Sequence, residues 1–372
     1  MAGNKIKWEK GLYTPDTFYV YKSDSPINLY NLPTPIATLN GNINTYEDTD
    51  SIILNQTYYY RVDAEKKGLY IPGYKVQYET VEPEYIYVRD RTIKKIEIKS
   101  GSLIWQYDDN LYRGIDIDDN GNIYGADLNY VRKIDSQGNS IFYNSFGAIE
   151  TVAVHRPSGD FYIGRYNTPM VKKINSFGNE VTSGGWPFSI YNNDVEHLAV
   201  SSNTGEVYIA VEGNGRGILV DSSGNINNNY NNGYMKIPQY VKENSNYSVV
   251  YGVYGNDKLA YTNGLKISAQ MVETRGNIDD MVIYNDSRFH FISQDTDGSN
   301  LLRTASLNRN VYWTYQHPSK LTCVGIDSLG NSYCGTEDNQ IIKVDSSGNQ
   351  IVDSIWPLQL SQPIKQIIGY KP

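Results

Sequence analysis

Val131-Arg-Lys-Ile-Asp-Ser-Gln-Gly-Asn139 is the stretch whose reading decides the fold. Val131 and Ile134 with the polar residues between them read as a half-buried strand that stops at Asp135, and Gly138 suits the left-handed backbone of a tight reversal. The phrase returns as Val171-Lys-Lys-Ile-Asn-Ser-Phe-Gly-Asn179, Ile218-Leu-Val-Asp-Ser-Ser-Gly-Asn225 and Ile341-Ile-Lys-Val-Asp-Ser-Ser-Gly-Asn349. A second hairpin precedes most copies, as in Ile115-Asp-Ile-Asp-Asp-Asn-Gly-Asn-Ile-Tyr124. Each unit therefore has four strands.

Weaker copies at residues 92–98, 264–268 and 301–306 fill the gaps. Anchors at Glu97, Asp135, Asn175, Asp221, Ser268, Ala305 and Asp345 then give seven units at a period of roughly forty residues, the spacing of four-stranded propeller blades. The fold class is all-β, with a seven-bladed β-propeller over residues 83–372. The last unit runs out at Ile355, yet residues 363–370 form one more apolar strand, while the unit beginning at Tyr85 lacks an inner strand. Joining the two closes the ring and removes the open edges of a cut one. The sequence thus predicts a blade with its inner strand from Ile364 to Tyr370 and its outer three from Tyr85 to Tyr107.

The 372 residues suffice for two domains with their own cores, and the net charge of −8 opposes any role that depends on neutralising phosphates, so nucleic acid is not an expected partner. The N-terminus lacks the apolar core of a secretory signal, and no run approaches about 18 apolar residues, so the expectation is synthesis in the cytoplasm without membrane insertion. A hairpin centred between Ser328 and Leu329 would set Cys323 and Cys334 directly opposite each other; cytoplasmic synthesis favours a reduced pair, with a strained disulfide as the alternative.

Residues 1–82 stand outside the repeat. Trp8, Phe18-Tyr-Val-Tyr21, Asn44-Thr-Tyr-Glu-Asp48 and Tyr58-Tyr-Tyr-Arg-Val-Asp-Ala64 are short strands between polar turns, a sandwich pattern. Their order resembles a fibronectin type III domain. The resemblance implies that Tyr58, Tyr60, Val62 and Ala64 face inward, with Tyr58 at the tyrosine corner, and that the module is a spacer or docking unit. In that family a strand precedes the one bearing the Trp, and here only a few residues do. The expectation is an open edge near Lys5 to Trp8, lacking that strand or covered by a neighbouring chain.

In such a ring the first and third turns of each blade share one face, and here they are short and stereotyped. The opposite face is read as carrying residues 165–170, 184–191, 212–216, 294–300 and the Asn-rich run from Asn227 towards Asn246. Variable connections on a rigid scaffold are where binding is built. Tyr166, Trp186, Tyr191, Tyr230 and Tyr234 are accordingly the candidate ligand-binding residues, for a neutral saccharide or a protein; the alternative for Trp186 and Tyr191 is to plug the gap between blades. The 34 tyrosines suit either recognition or strand propensity.

No catalytic residues and no cofactor are predicted. Asp116-Ile-Asp-Asp-Asn-Gly121 with Asp127 fits much of a calcium-loop formula, but the same stretch in other units keeps the turn and loses the carboxylates, so hairpin chemistry explains it. Asp295 and Asp297 are the residual metal candidates. His155 and His197, on inner strands, are the pair that a channel site would use.

The unit pattern resembles propellers of the NHL and quinoprotein-like superfamilies, which host enzymes and plain binding rings alike. A fibronectin-like module before such a ring, without an export signal, looks like a bacteriophage virion component of the tail, baseplate or fibre. This implies a chain made in the host cytoplasm, docked to other virion proteins through residues 1–82 and facing a host cell-surface glycan or protein. The alternatives are a lyase- or lactonase-like enzyme acting in the central channel, and a non-enzymatic interaction scaffold.

Overall fold

The computed structural model describes residues 3–9, 14–23, 27, 32–48, 59–74, 76–81, 84–108, 113–166, 170–190, 194–211, 216–230, 235–244, 247–254, 258–263, 266–273, 276–285, 288–306 and 310–370. These residues are all-β, in two compact units, Met1–Pro83 and Glu84–Pro372.

The smaller unit is two facing sheets. Thr45–Asp48, Gly3–Trp8 and Val76–Val81 form one, and Ala37–Asn40, Thr17–Ser23, Tyr59–Lys66 and Leu69–Tyr74 form the other. Period-two alternation sends Ile6 and Trp8 from the first sheet, and Phe18, Val20, Val62 and Ala64 from the second, into one buried core. The Trp8 ring meets Phe18 edge-on at 5.2 Å. The Tyr60 hydroxyl donates to buried Asp48 at 2.7 Å, and Lys22 pairs with the same carboxylate. Tyr58 lies outside the described residues. The expected open edge at Lys5 to Trp8 is corrected: Gly3–Trp8 lies between two strands, and its free side is taken by Val76–Val81 from the other end of the unit, in register from Gly3↔Val81 to Trp8↔Val76.

The larger unit holds seven sheets among the described residues. Sheets one to three begin at Gly114–Ile117, Ile149–His155 and Val195–Val200, and sheets four to six at Met235–Asn244, Asn277–Asn285 and Leu321–Ile326, each running through consecutive antiparallel strands. The remaining sheet joins both ends of the unit. Gln366–Tyr370 pairs with Tyr85–Arg89, followed by Ile93–Glu97 and Leu103–Tyr107. The inner strands touch one another in a cycle from sheet one through sheet six to Gln366–Tyr370 and back. The closure expected from the two ends is therefore observed.

Apolar residues of neighbouring sheets make the cores between them. The closing sheet contributes Tyr87 and Ile93 to a cluster with Ile115, Ile117, Ile123 and Ile134 of sheet one, and on its other face packs Ile86, Val88, Ile96, Ile364 and Ile367 against Cys323, Tyr333, Ile341 and Trp356 of sheet six.

The repeated phrase proves to be a fastening between sheets. Within the turn, Asp135 Oδ1 accepts the N–H groups of Gln137 and Asn139, and Asp221 and Asp345 cap their turns in the same way. The carbonyl of the following Ser then accepts from the preceding sheet. Lys95 reaches Ser136, Lys133 reaches Ser176 and Lys173 reaches Ser222, at 3.0 to 3.2 Å. Indole N–H groups add to this: Trp105 donates to Ser136, Trp186 to Ser222 and Trp313 to Ser346, each at 3.0 Å. Gly138, at φ +92°, carries no Cβ because one would lie 2.9 Å from the Trp105 ring. On the second strands, Tyr87, Tyr124, Tyr162, Tyr208 and Tyr333 are fully buried at equivalent places. Part of the tyrosine excess is thus core.

Three expectations need correction. The Asn-rich run is not one long loop: Ile226–Tyr230 is the outer strand of sheet three and Met235–Asn244 the inner strand of sheet four. Ser268 does not mark a third strand, since Lys258–Asn263 holds that place and Lys266–Glu273 is the fourth. The cysteines are not opposite each other: Cys323 pairs with Gly335 and Cys334 with Val324, because the turn from Asp327 to Asn331 centres the hairpin on Leu329. That single step sends the two thiols to opposite faces, Cys323 towards the closing sheet and Cys334 into the core with Ile292 and Leu302. Both are free and buried, and burial pushes the Cys323 thiol up to about 12. Neither is expected to react with Ellman's reagent in the native protein, and both should react in denaturant; a disulfide in the native chain would refute this register.

Candidate recognition face

On three inner strands a side chain from the neighbouring sheet bonds a backbone group of the unpaired edge. Gln366 uses its amide both ways, accepting from Ile115 N–H at 3.0 Å and donating to Ile115 C=O at 2.9 Å. Asp116 Oδ2 accepts from Val154 N–H at 2.8 Å, and Asp280 Oδ2 from Val324 N–H at 2.9 Å. Asp280 keeps some accessible surface yet is enclosed by protein, and burial pushes its carboxyl up to about 7. The folded chain therefore holds a proton that the unfolded chain releases near pH 4, so the stability this group confers is present below pH 4 and lost as pH rises to about 7. Asp280→Asn removes the ionisation at the cost of one acceptor. Its deficit in urea midpoint against the parent is expected to be larger at pH 4.5 than at pH 8; a deficit that widens with pH would contradict the assignment.

The candidate calcium loop is spent on folding. Asp118 accepts from the N–H groups of Asn120 and Asn122, the Asn122 amide and the Tyr124 hydroxyl, while Asp127 caps the next turn through Asn129 and Tyr130. Asp327 repeats the arrangement with Leu329, Asn331 and Tyr333. Asp295 is paired with Arg303 at 2.8 Å, and Asp297 accepts from Ser299 N–H. Residues 294–300 are a tight hairpin, with Asp295 N–H on Ser299 C=O and Gly298 N–H on Asp295 C=O. Among the described residues no three His, Cys, Asp or Glu side chains gather as metal ligands.

The histidines do not converge as a channel pair would. His155 sits at the hairpin end of its strand, with Nδ1 2.7 Å from Ser158 Oγ. His197 pairs with Ala210 near the opposite end of its own strand. His290 is buried against Tyr284 and Trp313, bonded to Ser332 Oγ, and burial lowers it to about 4. His317 closes a local turn with Ser319.

Of the five binding candidates, Tyr191 and Tyr234 lie outside the described residues, and Tyr230 is described only as a strand position opposite Gly217. Tyr166 is half-buried at the mouth between sheets one and two. Its N–H donates to Ala148 C=O, and the Arg113 guanidinium lies 5.5 Å from its ring centre while holding Glu150 at 2.8 Å. Glu150 is set forward by an irregularity in its strand, between Ile149 and Thr151. Trp186 takes the other role open to it, and residues 184–186 are not on the variable face: they follow the third turn of their sheet, where Gly185 N–H donates to Ser223 C=O in the Asp221 turn. Trp186 is 4% exposed, packs on Tyr162 at 5.2 Å and bonds Ser222. Trp356 repeats the contact on Tyr333 at 5.2 Å. A ligand cannot stack on Trp186 without dismantling the seam. The sequence signal for this was present in the recurrence of Trp-Pro at 186–187 and 356–357.

No protein-family model matches the chain, and neither does any curated protein. Solved structures do match. Apo AztD from Citrobacter koseri superposes with a TM-score of 0.56 at 8% identity, over 78% of this chain and 98% of that one. The WD40 β-propeller domain of Doa1 gives 0.53 at 16%, over 75% and 88%, and the dihydro-heme d1 dehydrogenase NirN, in complex with DHE, gives 0.52 at 10%, over 73% and 64%. These define the class: an all-β chain with a β-propeller. At such identities the likeness speaks to the fold alone.

Proposed function

We propose that the protein is a recognition component of a bacteriophage virion, whose smaller unit docks to other virion proteins and whose ring turns its variable face to a host-surface glycan or protein. The observation that carries a binding role is the contrast between the two faces. On one, the turns at Asp118, Asp135, Asp221, Asp327 and Asp345 repeat a single capping scheme and lock sheet to sheet. On the other, the connections differ from sheet to sheet: Asp127 N–H closes its turn on Tyr130 C=O, the hairpin at Asp295 closes on Ser299 C=O, and Thr336 Oγ1 accepts from Gln340 N–H. A stapled scaffold with unlike loops on one side suits binding.

The smaller unit is read as fibronectin type III-like. Its two-sheet core around Trp8 supports this, with Val76–Val81 in the place the family gives to a strand before the Trp. Immunogold electron microscopy of particles released from producing cells is expected to place the protein on the virion, and a variant lacking residues 1–83 is expected to stay off it. Labelling only of free protein would refute the virion setting.

A further inference from the structure

On the groove between the closing sheet and sheet one, four side chains form a column. Tyr107 comes from the outer strand of the closing sheet, Tyr130 and Arg132 from the third strand of sheet one, and Tyr143 from its fourth. The register sets Arg132 directly opposite Tyr143, and Tyr130 and Arg132 share a face because they are two residues apart. The Arg132 guanidinium lies 4.1 Å from the Tyr143 ring centre and 5.0 Å from that of Tyr107, whose hydroxyl it also bonds. Tyr130 stacks on Tyr143 at 4.6 Å, the planes 16° apart.

This is more order than cross-strand pairing requires, and it is displayed. Tyr130 is 36% and Tyr143 44% exposed, beside Ile141 at 52%. Trp105, Trp186 and Trp356 turn their contacts inward, and the exposed Tyr312 lies 4.6 Å from the Arg288 guanidinium. We propose that this column is a saccharide-binding site: the outer face of Tyr130 receives the apolar face of a neutral sugar ring, and the tyrosine hydroxyls and exposed Asn129 and Ser145 meet its hydroxyls.

The chemistry favours a sugar over a protein partner. A flat ring held in a finished stack costs little entropy to use, and its polar rim matches a ligand that alternates C–H faces with hydroxyls. A stable protein interface takes about 20–30 residues a side, whereas this display is a few side chains wide and fits one or two sugar rings. The site deepens the recognition reading without depending on the virion setting.

The test is isothermal titration of the full chain with cellohexaose, chitohexaose and maltohexaose. At least one is expected to saturate below 10 mM. Tyr130→Ala should weaken it at least tenfold with an unchanged melting temperature, while Tyr130→Trp, which restores a flat face, should keep it. No saturation by any of the three, or equal binding by Tyr130→Ala, would overturn the proposal. So would loss of host-cell attachment by Tyr130→Ala without saccharide binding, which would assign the column to a protein. Labelling of virions is read separately and is indifferent to Tyr130.

Discussion

Deleting residues 363–372 is expected to lower the melting temperature of the ring by at least about 10 °C while leaving the Met1–Pro83 unit folded. The segment supplies the inner strand of the closing sheet, with ladder pairs from Gln366↔Arg89 to Tyr370↔Tyr85. Ile364 and Ile367 are buried between that sheet and sheet six, and truncating one such side chain to Ala costs about 2–5 kcal/mol. Gln366 and Tyr370 also bond sheet one, at Ile115 and at Asp119 C=O. Losing several kcal/mol moves the midpoint of a domain this large by about 2–4 °C per kcal/mol. The deletion further exposes the edge of Tyr85–Arg89, which invites association between copies. Differential scanning calorimetry of the shortened chain checks this, and an unchanged ring transition would count against closure.

The second large effect is at Trp186. Trp186→Ala removes a buried indole from a cluster with Tyr162, Ile190 and Val195 and deletes the bond to Ser222 C=O, so a loss of about 3–5 kcal/mol is expected. Urea unfolding measures it. Protein that remains folded should attach to host cells as the parent does. A loss under about 1 kcal/mol combined with failed attachment would return Trp186 to the binding surface.

What the sequence discloses follows from where the information is local. The capped turns rest on Asp or Asn, Gly and Asn within five residues, and they are legible as written. Closure was legible because both ends of the ring showed complementary deficits. The cysteine register was not: one residue more in the turn at Leu329 exchanges the faces of a whole strand, and periodicity alone does not count turn residues. The strand assignments after Asn225 slipped for a similar reason, since the Asp-Ser-Ser-Gly phrase is absent from sheet four and Gly264 drew the anchor one strand too far. Tyr107 and Tyr143 meet Arg132 across two sheets. Their sequence separation hides that meeting, and so does the irregularity between Lys133 and Ile134: the turn at Asp135 alone would set Arg132 opposite Phe142, and the shift moves it to Tyr143. The edge of Gly3–Trp8 was misread because its partner comes from the far end of the unit.

Hydrogen exchange at the closing strand tests the central claim most directly, because it reads the joining of the two ends in the intact chain. If Gln366–Tyr370 completes the sheet of Tyr85–Arg89, its ladder amides should be protected to the same degree as those of Ile93–Glu97 and exchange with them. Exchange of residues 366–370 at the rate of an unstructured peptide, with Ile93–Glu97 still protected, would contradict a ring closed by its own C-terminal strand.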